Sequence, residues 1–63
     1  MKSFQEIRKE KITQERLAAL LNINTSTVSK WESGVSRPRL SMIFQLSKIL
    51  NVDIDTLVKC FEK

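Results

Sequence analysis

The sequence predicts an all-α fold in which five short helices close around one small core. A single glycine and a single proline among 63 residues leave few breaks between regular segments. Apolar residues recur three and four positions apart in successive stretches, and four of the five stretches follow a residue suited to start a helix: Ser3, Thr13, Asn24 and Asp53. A chain of this length closes only one core, so residues 1–63 are expected to form one domain, with no room for a second, effector-sensing one.

Each element follows from local chemistry. Ser3 and Glu6 have capping-box spacing, and Phe4 and Ile7 stand on one helical face, which predicts a first helix over about residues 4–10. Thr13 offers a second cap, and Leu17, Ala18 and Leu21 give the next helix, from Gln14 to about Leu21, its inner stripe. Glu15 sits in its first turn, where the dipole favours a carboxylate. Asn22 tolerates the left-handed backbone of a sharp exit, so the chain is expected to turn there. Asn24 can cap a third helix over residues 25–33, with Val28 and Trp31 inward and Thr25, Ser26, Ser29 and Lys30 outward, and Gly34 stops it. Pro38 marks a loop, after which residues 40–50 carry Ile43, Leu46 and Leu50 on one face. Asn51 repeats the asparagine exit, and Asp53 can cap a last helix over about residues 54–61 with Ile54, Leu57, Val58 and Phe61 at i, i+3, i+4 and i+7.

Charge and composition narrow the function. Eleven Lys and Arg against seven Asp and Glu give a net charge of +4 and a pI near 9.7, which favours a polyanionic partner without identifying it. The lone Cys60 has no partner for an internal disulfide, and without histidine the usual Cys/His zinc site is excluded; no metal or other cofactor is expected. No apolar run approaches the length of a membrane span, and the first ten residues lack a signal peptide's apolar stretch, so the chain is expected to be soluble and cytoplasmic. An enzyme is disfavoured by the lack of histidine and of a glycine-rich phosphate loop, and by a chain too short for a water-excluding cleft.

Residues 14–34, QERLAALLNINTSTVSKWESG, form two short helices around a tight turn with the second propped outward, which is a helix-turn-helix. Together with Leu50-Asn51-Val52, Pro38 and the apolar Ile23 in the turn, this segment resembles the Cro and phage-repressor (Xre-type) helix-turn-helix family over about residues 7–57. The resemblance implies the compact five-helix, lambda-repressor-like form of the fold. Two departures stand out: residues 11–14 are one residue shorter than the family's usual connection and lack its glycine, and Asn22 replaces another glycine. Arg39 also stands where a hydroxyl residue normally caps the fourth helix.

By that resemblance the third helix enters the major groove of duplex DNA, which makes Thr25, Ser26, Ser29 and Lys30 the candidates for base contact. Lys30 can donate to guanine acceptors, and the hydroxyls can bond several bases. Hydroxyls discriminate less sharply than bidentate Arg, Gln or Asn, so DNA shape and bridging water are expected to contribute much of the specificity. Phosphate contacts are expected from Gln14, at the start of the second helix, and from Ser33, Gly34, Ser36, Arg37 and Arg39. Between Thr25 and Arg39 the only acidic residue is Glu32, and the resemblance pairs it with Arg8 beneath the reading helix. The row Ile54, Leu57, Val58 and Phe61 is the expected contact of a homodimer, which would place two reading helices about 34 to 36 Å apart on a palindromic operator and repress by blocking polymerase. The rival is a protein-interaction module, an adaptor or toxin-neutralising partner, on the same scaffold. The cluster of Lys30, Arg37 and Arg39 beside short polar residues favours DNA, since a protein-binding face would more often carry exposed apolar anchors there.

Overall fold

Residues 2–62 are described by a computed structural model of the chain. They hold five helices: α1 (Phe4–Lys9), α2 (Gln14–Leu21), α3 (Thr25–Ser33), α4 (Leu40–Leu50) and α5 (Ile54–Phe61). Four have the expected limits. The first ends one residue early, because the N–H groups of Lys11 and Ile12 both turn back to the Arg8 carbonyl, at 2.9 Å each, and close the helix in a tight turn.

Starts and stops follow different chemistry. Ser3 makes both bonds of a capping box with Glu6, and the Ser3 backbone N–H, with its hydroxyl, holds the Glu6 carboxyl below its usual range. The Thr13 hydroxyl accepts from the Arg16 N–H at 3.2 Å. Asn24, Arg39 and Asp53 occupy cap positions without any side-chain cap bond. There the first turn closes through backbone carbonyls alone, as when Asn24 accepts from Thr27 and Arg39 from Met42 and Ile43.

The exits after α2, α3 and α4 share one device. Asn22, Gly34 and Asn51 have φ of 58°, 83° and 55°, and the next residue's N–H reaches back five positions: Ile23 to Ala18, Val35 to Lys30, Val52 to Ser47. This satisfies carbonyls that a helix end leaves orphaned. Ile23 and Val52 then lie half-buried against the core, so each asparagine exit also returns an apolar side chain to the body.

The core comprises Phe4, Ile7, Leu17, Ala18, Leu21, Val28, Trp31, Ile43, Leu46, Leu50, Leu57 and Phe61. Phe4 joins its two sides, with its ring centroid 6.3 Å from Trp31 in an edge-on arrangement and 5.1 Å from Phe61. Here the expected dimer row needs correction. Leu57 and Phe61 face inward, at 0% and 8% exposure, and are unavailable to a second chain; of the four, only Ile54, at 37%, is exposed, and Val58 is half-buried. Other apolar side chains are outside: Val35, Leu40, Phe44 and Leu20 are exposed, with Leu40 and Phe44 one turn apart on the same face of α4.

Candidate nucleic-acid interface

The third helix is anchored on one side and open on the other. Val28 and Trp31 are buried, whereas Ser26, Ser29 and Lys30 are exposed and Thr25 is half-buried. Trp31 turns its ring into the core toward Phe4, which removes it as a stacking platform for a base. Ala18 is buried where α2 and α3 meet, and its small side chain allows their close approach.

Beneath α3 lies a polar assembly that fixes three helices together. Arg8 Nε donates to Glu32 Oε2, and Arg8 Nη1 donates to the Ile12 carbonyl at 2.8 Å. The second carboxylate oxygen, Glu32 Oε1, accepts from Gln14 Nε2 at 2.8 Å. The Arg8 and Glu32 side chains are 7% and 5% exposed, so this is a desolvated pair, with both carboxylate oxygens and two of the three guanidinium nitrogens bonded. Among the described residues, no buried side-chain nitrogen or oxygen lacks a partner. The short α1–α2 connection therefore leaves Arg8 able to reach Glu32.

Gln14 stands at the start of α2, as expected, but its side-chain amide is held by Glu32. Any anion there would meet the free backbone amides of the helix start. Lys9 and Lys11 line the same shallow cleft as Gln14. Glu10 and Glu15 line it too, so its charge is mixed.

Beyond α3 the chain folds back on the helix end, where the Gly34 N–H also reaches the Trp31 carbonyl at 3.4 Å. The Lys30 carbonyl takes the N–H groups of Val35 at 3.0 Å and Ser36 at 3.4 Å, and the Ser33 hydroxyl at 3.2 Å. Ser33, Gly34 and Ser36 are thereby gathered at the end of α3, on the same connection as exposed Arg39. Arg37 is also exposed, yet its Nη1 donates to the Phe61 carbonyl at the end of α5, at 3.4 Å. No local pattern signals that contact, since the two residues are 24 positions apart.

Among the described residues no group of His, Cys, Asp and Glu is placed to hold a metal ion. Burial pushes the Cys60 thiol above its ordinary value. Among the described residues no helix is long and apolar enough to cross a membrane.

Comparison with known proteins gives a consistent match. The Helix-turn-helix family model covers residues 4–57. The HTH-type transcriptional activator BcrR of Enterococcus faecalis is 39% identical over 56 residues, which is 87% of this chain and 28% of the relative. The chain thus spans under a third of that relative's length. No solved structure gives a significant match.

Proposed function

Because this chain belongs to the Xre/Cro-type helix-turn-helix family, we propose that it binds duplex DNA site-specifically and regulates transcription through α3 in the major groove. The observation that supports this best is the division of α3. Its inner side is locked by Val28, Trp31 and the Arg8–Glu32–Gln14 assembly, while Ser26, Ser29 and Lys30 project free. A rigidly held helix with an unoccupied polar face suits base readout, in which small displacements break hydrogen-bond geometry. Thr25, Ser26, Ser29 and Lys30 are the proposed base contacts. Ser33, Gly34, Ser36 and Arg39, with the backbone amides beside Gln14, are the proposed phosphate contacts.

The protein acts as a homodimer on a palindromic operator, with Ile54 and Val58 of α5 at the contact. Repression by occlusion needs nothing beyond a DNA-bound domain, so it is the proposed sign of regulation. The exposed pair Leu40 and Phe44 favours a second reading, a protein-interaction module, because apolar anchors on one helix face suit a protein partner.

Selection from a randomised duplex pool at about 150 mM salt, where non-specific electrostatic binding is weak, separates the readings. Enrichment of an inverted repeat is expected. An unenriched pool would overturn site-specific binding in favour of the protein-interaction module.

A further inference from the structure

We propose that Arg37 is a positioning residue that latches the loop after α3 to the end of α5, and that it does not serve as a phosphate contact. Its Nη1 donates to the Phe61 carbonyl. That carbonyl belongs to the last turn of α5, where helix carbonyls are left without intrahelical donors and the dipole favours a cation. Arg37, Ser36 and Gly34 line one cleft with Trp31, Cys60 and Phe61, so the guanidinium bridges two walls of a single depression.

The rest of the loop shows why such a latch matters. One end is tied to α3 by the Val35 and Ser36 N–H groups on the Lys30 carbonyl. Pro38 is buried, and Arg39 beyond it is exposed. Arg37 is therefore the only side chain between Gly34 and Arg39 with a hydrogen bond to another element, among the described residues. Holding this segment against α5 fixes where Arg39 and the Ser36 backbone stand relative to the reading helix. It also joins the end of α5 mechanically to the DNA-facing loop.

The functional part of this inference rests on the DNA-binding reading, so its test has one arm without DNA. Amide exchange of the free protein is compared for wild type, Arg37→Ala and Arg39→Ala. Faster exchange at Val35 and Ser36 is expected in Arg37→Ala alone; unchanged exchange there would overturn the latch. In the second arm, binding to a mixed-sequence duplex is titrated from about 50 to 200 mM salt. Arg39→Ala is expected to reduce the salt slope by about 0.9, the signature of one lost phosphate contact. Arg37→Ala is expected to weaken binding about fivefold with the slope unchanged. A slope reduced by about 0.9 in Arg37→Ala would make it a phosphate contact and overturn the proposal. If wild type binds no duplex, the DNA-binding reading fails, and the exchange arm alone decides the latch.

Discussion

At the scale of single residues, Glu32 has the most exacting position. Its carboxylate is buried, accepts from Arg8 on one oxygen and from Gln14 on the other, and belongs to the helix proposed to read DNA. Removing one partner of such a pair leaves a desolvated charge. Arg8→Ala and Glu32→Ala are each expected to destabilise the fold by about 3 to 5 kcal/mol in denaturant melts. Gln14→Ala removes one bond to a charge and is expected to cost less, about 1.5 to 3 kcal/mol. Equal, small effects from all three would mean that the assembly is solvated in solution. The sequence resemblance pointed to the pairing of Arg8 with Glu32. The third member was not legible, because Gln14 and Glu32 are 18 positions apart and a glutamine at a helix start reads equally well as an anion contact.

At the scale of elements, helix limits were readable wherever a residue type admits few backbone conformations. Asn22, Gly34 and Asn51 mark exits because left-handed backbone excludes most other residues, and all three adopt it. Gly34 gives a clean test, since a Cβ added there would meet nothing within 4 Å. Any loss in Gly34→Ala then reflects backbone conformation alone and is expected to be about 1 to 2 kcal/mol, with Gly34→Asn closer to wild type. A thermal melt of Gly34→Ala that matches wild type would remove the conformational account of this exit. Faces were less legible than limits. The α5 row repeats at helical spacing whichever neighbour it meets, so spacing alone could not assign Leu57 and Phe61 to the core. That assignment depends on α1 and α4 packing against α5, including the long-range approach of Phe4 to Phe61.

At the scale of the whole molecule, the described residues span 24 × 24 × 22 Å, small enough that all five helices contribute to the same core. Self-association is proposed to use what that core leaves outside. Ile54→Lys is expected to give a monomer by sedimentation with its helical content unchanged. Leu57→Ala is expected to lower stability by about 2 to 5 kcal/mol through the cavity it opens, whatever the oligomeric state. If Ile54→Lys sediments as wild type does, the dimer contact does not run through α5. Leu40 and Phe44 show why such surfaces escape a one-dimensional reading: they stand in a helix whose other apolar residues are inward, and only packing reveals which ones are left over.

The two-sidedness of α3 has an evolutionary consequence. Ser26, Ser29 and Lys30 make no core contact, whereas the residues that hold the helix lie on its other side. Exchanges at these three positions therefore leave folding nearly untouched, and surface substitutions of this kind usually shift stability by no more than about 0.5 kcal/mol. A duplicated copy could drift to a new target through stable intermediates at every step, so the binding preference of such a protein can diverge faster than its fold.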